Sequence, residues 1–332
     1  MKKRDMLAPL GLLFSFLSGA RGRLYDWKVK PAESVGVPVV SVGNLTVGGT
    51  GKTPVIAALI EWAIQSGYRP GVVSRGYGRQ SYGVQAVHAD DESAERFGDE
   101  PTMLKKQFVN VPIYVGADRV QAAMQLVSEH PVNLIFADDA FQHRKLKRDI
   151  DIVLIDATAP TSDYHPLPWG MARESFESLR RAQFVILTKV NLASSDNLKF
   201  IENKLSAVNG DFKTIRADYL VTSELNDLSA CCFVVCGLGR PEAFLASLQM
   251  KGFNVVGSLL FPDHHAYSET DAVRIVSEMK KLGASVILTT EKDFVKLDRH
   301  KNLKDFVQVV SLQLGFSSDV EILHEEISSK TL

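Results

Sequence analysis

The sequence has little cysteine, almost no excess charge and no long uninterrupted apolar run. Its three cysteines, Cys231, Cys232 and Cys236, fall within six residues of a single apolar stretch. That excludes a disulfide framework and a complete zinc ligand set, and reads as small buried side chains in a reducing compartment. The 38 Lys and Arg nearly cancel the 39 Asp and Glu, so a chain-wide basic surface for nucleic acid is excluded. No repeat or low-complexity segment is evident. What is present is a balanced composition, 45% hydrophobic and 23% charged over 332 residues, enough for roughly two domains with their own cores.

Charge is segregated at one end. Residues 1–30 carry seven basic side chains (Lys2, Lys3, Arg4, Arg21, Arg23, Lys28, Lys30) against Asp5 and Asp26. Between them Met6–Ala20 is uncharged, and too short for a membrane span, which needs about 20 apolar residues. Three readings stand: an amphipathic helix in a membrane interface, a helix packed on the protein, or a secretory signal peptide. Leu7, Leu10, Leu13, Phe14 and Leu17 follow helical spacing, and flanking basic residues suit anionic head groups.

From Val37 onward, strand-like apolar runs alternate with amphipathic helical runs, the pattern of a mostly parallel sheet with helices on both faces. Strands are expected at 37–42, 72–74, 111–115, 134–137, 150–155 and 184–187, with helices at 54–65, 119–129 and 172–182. After a less patterned stretch near 207–230 the alternation resumes to the end of the chain. The expected organisation is an N-terminal region 1–30, a phosphate-loop domain 31–222 and a smaller α/β domain 223–332 that contributes to the cleft.

The sharpest motif is Thr46-Val47-Gly48-Gly49-Thr50-Gly51-Lys52-Thr53, between an expected strand and an expected helix. Glycines let successive backbone N–H groups turn inward around phosphates, and the helix N-terminus adds its positive end. In this pattern Lys52 reaches the β- and γ-phosphates and the Thr53 hydroxyl ligates Mg²⁺. The first position of the pattern holds Thr46 rather than glycine. A carboxylate at the end of a neighbouring strand is also required, and Leu134–Ala137 runs into Asp138-Asp139. Asp156 ends a second such strand and reads as a turn residue. The GTPase signature fails twice: no glycine follows the acidic pair at the switch offset, and Thr188-Lys189-Val190-Asn191 ends in Asn where the base-reading motif has Asp.

Two further clusters suit proton transfer. Gly98-Asp99-Glu100-Pro101 sets adjacent acids in an expected tight loop, and Asp263-His264-His265 follows an apolar strand. The loop Arg75-Gly76-Tyr77-Gly78-Arg79 suits an anionic small ligand, with Arg119, His143 and Arg173 as further substrate-side candidates.

Together these blocks resemble the tetraacyldisaccharide 4′-kinase family over nearly the whole chain: VSVGNLTVGGTGKTP at 40–54, VVSRGYGR at 72–79, GDEP at 98–101, DDAFQH at 138–143, LPWGMARES at 167–175, CGLGRPEAF at 236–244, FPDHHAYSETD at 261–271 and TTEKDFVKL at 289–297. Departures are Ala140, where the family usually has glycine, and LPWGMARE for the commoner LPAGPLRE. The resemblance implies a P-loop NTPase-like fold and transfer of the γ-phosphoryl group of ATP to the 4′-hydroxyl of an acylated glucosamine disaccharide 1-phosphate, forming lipid IVA. It also implies Mg²⁺ and a peripheral position on the cytoplasmic face of the inner membrane. On the same ground Asp99 matches the general base and His264 its orienting or relaying partner. Thr53, Asp139 and Glu174 match residues around the metal, with Asp138 and Gln142 close by. The rival readings are a P-loop GTPase of the metallochaperone type and a nucleotide-binding regulator without catalysis.

Overall fold

A computed structural model describes residues 5–27, 29–90, 93–223, 225, 227–263, 265–316 and 319–331. A long helix, α1 (Ala8–Asp26), precedes a run of alternating elements: β1 (Val39–Asn44), α2 (Lys52–Gln65), β2 (Pro70–Ser74), β3 (Gln85–Ala86), α3 (Ser93–Phe97), α4 (Asp99–Gln107), β4 (Ile113–Val115), α5 (Arg119–Glu129), β5 (Leu134–Asp138), β6 (Ile150–Asp156), β7 (Phe184–Thr188) and α6 (Ser195–Ala207). The chain continues through β8 (Lys213–Ser223), β9 (Cys231–Cys236), α7 (Pro241–Lys251), β10 (Asn254–Leu260), α8 (Glu269–Lys281), β11 (Val286–Thr290), α9 (Glu291–Leu297), β12 (Val307–Phe316) and α10 (Val320–Thr331). The alternation read from the sequence is therefore borne out as an α/β fold.

All the described strands join one sheet in the order β10-β9-β11-β12-β8-β7-β6-β1-β5-β2-β4-β3. Pairing is parallel except at β3–β4 and at β8–β12. The second exception shapes the molecule. Thr188, the last residue of β7, pairs with Ala217, whereas Val310, level with Thr290 at the end of β11, pairs with Ser223. The stretch Ala217–Ser223 separates these two levels by about 20 Å of extended chain. Because β12 opposes β8, strands β9–β11 run opposite to β1 and β5–β7. The C-terminal edges of the two half-sheets thus face one another across the β8–β12 ribbon. Ligands of open α/β sheets gather at such edges, so the topology places a cleft where two of them meet.

Layers of apolar side chains cover both faces. Val40, Val42, Phe136 and Ile152 pack under Val55, Ile56, Leu59 and Ile60 of α2, with Leu323 and Ile327 of α10 in the same core. Ile135, Val73 and Val39 pack against Val120, Ala123 and Leu126 of α5 on the other side. The distal half has its own core around Phe233, Ile275, Ile287 and Leu297. Cys232 and Cys236 lie buried on β9 and all three cysteines are free; burial pushes the Cys236 thiol up to about 12. The sheet passes unbroken through 222/223, and α10, although C-terminal, returns to α2, where the Trp62 and His324 rings stack at 4.4 Å.

Three local expectations are corrected. Asp99 and Glu100 are not in a tight loop: Gly98, at φ 98°, caps α4 and both acids occupy its first turn, where the helix dipole favours them. Residues 172–182 form no α-helix. The segment stays extended at its start, with Val47 N–H donating to Met171 O (2.8 Å) and Arg173 N–H to Leu45 O (2.7 Å), and only Phe176–Arg181 coils into a 3₁₀ turn. The unpatterned stretch near 207–230 contains β8, whose side chains alternate between buried Ile215, Ala217, Tyr219 and Val221 and more exposed neighbours.

Helix α1 docks by its small residues and turns its large ones outward. Gly11 is buried; a Cβ there would lie 3.1 Å from both Pro166 O and Trp169 Cβ. Leu10, Leu12, Leu13, Phe16 and Leu17 are all more than half exposed, while Leu7 is half-buried. No described helix is long and apolar enough to cross a membrane.

Candidate active site

The phosphate loop leaves the end of β1 and closes into α2 with Gly51 as its cap at φ 91°. Gly48 takes φ 109°, and a Cβ at Gly51 would collide with the Tyr219 hydroxyl, so this loop depends on glycine at both positions. Its outer groups are tied down from behind. Asn44 Nδ2 donates to Thr50 Oγ1 (2.9 Å), Thr188 Oγ1 to Thr50 O (2.8 Å) and Lys189 Nζ to Gly49 O (2.9 Å).

Beside it stands the acid pair at the end of β5. Asp139, at φ 50°, receives Arg173 Nη1 at 2.8 Å on each carboxylate oxygen and lies 3.7 Å from Lys52 Nζ. Burial would raise its carboxyl, but Lys52 and Arg173 outweigh burial and hold it below the usual value. Asp138 differs. Burial and the nearby Glu100 push its carboxyl up to about 7, against Lys52 and a 2.7 Å hydrogen bond from Ser74 Oγ. An acid raised in the folded state stabilises the fold below its unfolded value, near 4, and loses that contribution as pH climbs through about 7. In chelator-treated buffer, the melting temperature of Asp138→Asn is therefore expected to gain on wild type between about pH 5 and about pH 8. A constant gap over that range would count against the buried charge.

Opposite lies the edge of the distal half. Lys296 of α9 pairs with Asp99 at 2.7 Å and donates to His265 O at 3.1 Å. Lys292, one turn earlier, pairs with Asp263 at 2.7 Å. Burial lowers its ammonium, yet Asp263, Glu100 and Asp99 together hold it above the ordinary value. Arg299 reaches Glu95 at 2.7 Å, a second ion pair over the gap that Lys296 and Asp99 span. His264 lies outside the described residues. His265 faces Asp271 at 3.1 Å and stacks on Phe261, so it braces the loop.

Between the two edges lies a cavity of about 520 Å³, the size of a small-molecule site. The loop residues Val47 to Thr53 line it, together with Arg75, Tyr77, Asp138, Asp139 and Arg173; from the distal half come Arg240, Asp263 and Lys292. Thr46, by contrast, is buried beneath, bridged to Ala172. Asp99, Arg119, His143 and Glu174 are not on the cavity wall. Asp99 sits next to the lining residue Glu100, and Arg119 is buried with Nη2 3.3 Å from Asp139 O. Glu174 is held by Arg181 at 2.9 Å. His143 is half-buried, and burial beside Arg119 lowers its imidazole to about 4, so it is neutral at pH 7. Gln142 Nε2 donates to Asn44 O at the root of the loop.

Sequence reasoning missed Lys189, Arg240, Lys292 and Lys296, and read Asp156 as a turn. Asp156 is instead 1% exposed and bound by Lys189 at 2.6 Å. Its signal was the one Asp138 also carries, an acid ending an apolar strand. Lys292 and Lys296 lay inside the block at 289–297. Asn191, in the place of a base-reading aspartate, is spent on β8: its amide donates to Tyr219 O (2.9 Å) and accepts from Tyr219 N–H (3.0 Å).

A family model described as LpxK, tetraacyldisaccharide-1-P 4′-kinase, matches residues 4–331. The chain belongs to this family. It is 36% identical to a tetraacyldisaccharide 4′-kinase of Bdellovibrio bacteriovorus over 98% of both chains, and 37% identical to one from Shewanella pealeana over 96% of this chain and 92% of that one. The crystal structure of LpxK from Aquifex aeolicus in complex with ATP is similar with a TM-score of 0.75 and 26% identity, covering 99% of each chain. The kinase-family blocks at 40–54, 72–79 and 138–143 border the cleft on one side, and those at 236–244, 261–271 and 289–297 on the other. Ala140, the departure beside the acid pair, is fully buried and leaves Asp139 at the positive φ given above.

Proposed function

We propose that this protein transfers the γ-phosphoryl group of ATP to the 4′-hydroxyl of a tetraacylated glucosamine disaccharide 1-phosphate, forming lipid IVA. The observation that carries the reading is a glycine-rich phosphate loop with Lys52 facing Arg240, Asp263 and Lys292 across one cavity, with the pair Asp99–Lys296 joining the two edges beside the lining residue Glu100. The ATP held by the similar Aquifex aeolicus protein supports the choice of nucleotide.

In this reading the N–H groups of Gly48, Gly49 and Gly51 cradle the phosphates, and Lys52 leaves Asp139 for the β- and γ-oxygens. Asp99 accepts the proton of the acceptor hydroxyl as its oxygen bonds to phosphorus; the bond from phosphorus to the β–γ bridging oxygen breaks and ADP departs with that electron pair. His264 orients or relays to Asp99. Arg173 and Lys292 add positive charge where negative charge gathers. Arg75 and Tyr77 serve the sugar phosphate, with Arg119 and His143 behind them. The regions 31–222 and 223–332 act as two lobes that close over ATP.

Mg²⁺ fits the residues present. Asp138 is a buried carboxylate on the cavity wall, Asp139 adjoins it and Thr53 shares the cavity. No group of three or more His, Cys, Asp or Glu able to hold a metal unaided occurs among the described residues. That suits an ion held by one or two carboxylates, a hydroxyl and nucleotide phosphates, with Glu174 nearby. When bound, it neutralises charge on the phosphoryl oxygens.

An acylated acceptor stays in its bilayer, so α1 with its outward leucines seats the protein peripherally on the cytoplasmic face of the inner membrane. Leu13→Ser with Leu17→Ser is expected to weaken binding to anionic vesicles by about tenfold or more, read by co-flotation, and unchanged flotation would sink that role.

The deciding experiment is transfer from γ-labelled ATP to the purified disaccharide 1-phosphate in detergent micelles. Labelled bis-phosphorylated lipid supports the reading. Hydrolysis of ATP or GTP with no label in lipid would overturn it in favour of a switch protein.

A further inference from the structure

A buried ion-pair chain beneath the phosphate loop has no part in the steps above. Asp156 ends β6 with its carboxylate fully enclosed. One oxygen accepts from Thr158 N–H and Oγ1; the other faces Lys189 Nζ at 2.6 Å and Arg240 Nη1 at 3.4 Å. Arg240 belongs to the other edge of the cleft. It is the residue before α7, and its Nη2 holds Asp163 at 2.7 Å. Lys189 continues the chain to Gly49 O at 2.9 Å, while its neighbour Thr188 holds Thr50 O. Lys189 is 4% exposed, takes φ 60° without being glycine, and has the Tyr219 ring 5.4 Å from its ammonium.

A loop that turns its N–H groups toward an anion must turn its carbonyls away, and buried carbonyls need donors. Lys189 and Thr188 are those donors. An ammonium is a costly choice for the task, since burial works against its charge and only a buried partner such as Asp156 sustains it. Asp156 in turn stays ionised, because Lys189 and Arg240 outweigh its own burial. The backbone just before Arg240 also abuts the loop directly: a Cβ at Gly239 would lie 3.4 Å from Gly49 N. Gly49 is therefore held from behind by Lys189 and has Gly239 close by on the opposite edge of the cleft.

We propose that Lys189, braced by Asp156, is a positioning residue that sets the phosphate-binding shape of the loop, and that Arg240 links this shape to the seating of the distal half of the sheet. ATP affinity then depends on Asp156, a residue that does not line the cavity. The inference rests on residues 46–53 being the phosphate cradle.

The test is titration calorimetry with ATP, which needs no acceptor lipid, on wild type, Arg240→Gln, Lys189→Met and the double variant, with melting curves for each. Arg240→Gln is expected to raise the ATP Kd about tenfold. The double variant is expected to be no worse than Lys189→Met alone, because both act through one chain. Kd increases that multiply would overturn the relay, as would a folded Arg240→Gln with wild-type Kd. A fall in melting temperature at unchanged Kd would mark a merely structural role and overturn it too. Where Lys189→Met does not fold, Arg240→Lys replaces it in the series: its charge remains but it cannot span both carboxylates, so it is expected to resemble Arg240→Gln, and wild-type affinity would overturn the proposal. Wild type that binds no ATP at all overturns the cradle reading itself, whereas ATP binding insensitive to Arg240 overturns only the link.

Discussion

Lys52→Ala is expected to lower the rate of phosphoryl transfer by about a thousandfold or more, the scale on which single preorganised charge donors act. The side chain is 9% exposed, lies 3.7 Å from Asp139 and follows the glycine loop on the cavity wall. Arg173 keeps Asp139 paired when Lys52 is gone, with contacts at 2.8 Å to both oxygens, so the fold has no uncompensated buried charge to carry. The melting temperature should therefore change little. Single-turnover transfer from labelled ATP checks the rate, and retention of a tenth or more of the activity would remove Lys52 from the transition state. Because the ammonium serves charge that grows during transfer, kcat should fall more than ATP affinity does.

Asp99→Ala is the second large effect expected, a loss of about a hundred- to ten-thousandfold in turnover with ATP affinity changed by less than about threefold. Geometry gives the reason for the split. Asp99 stands at the first turn of α4, beyond the cavity wall, and its carboxylate meets Lys296 from the opposite edge at 2.7 Å. In the proposed reaction it meets an acceptor hydroxyl entering between the edges, not the phosphates lying in the loop. Equal losses in turnover and ATP affinity would mean that Asp99 holds the cleft closed through Lys296 and Arg299's neighbouring pair, and is not the base. Lys296→Ala separates these cases, since a strut should suffer equally from loss of either partner.

Much of the local machinery was legible in the chain. A glycine-rich loop between an apolar strand and an amphipathic helix announces itself because both its strain and its chemistry reside in consecutive residues. The acids ending β5 were legible for the same reason; the outward surface of α1 was so only in part, because Leu12 and Phe16, outside the expected stripe, are exposed while Leu7 is half-buried. Asp156 shows the limit. Its sequence context matches that of Asp138, yet one faces the cavity and the other lies sealed between Lys189 and Arg240. Which neighbours an acid meets depends on residues 33 and 84 positions away.

By itself the sequence determined the α/β alternation, the phosphate loop, the acid pair and, through its ordered blocks, the kinase family. Only the tertiary structure decided how the two edges meet. That turns on β8, whose modest alternation of polar and apolar residues carries no strong signal, and on its antiparallel pairing with β12, some 90 residues later. Strand direction and register are set by long-range packing rather than local preference. Reversing the sheet at that one ribbon brings Lys292 and Arg240 opposite the loop that ends at Lys52, and Lys296 onto Asp99, and so turns two half-sheets into one site.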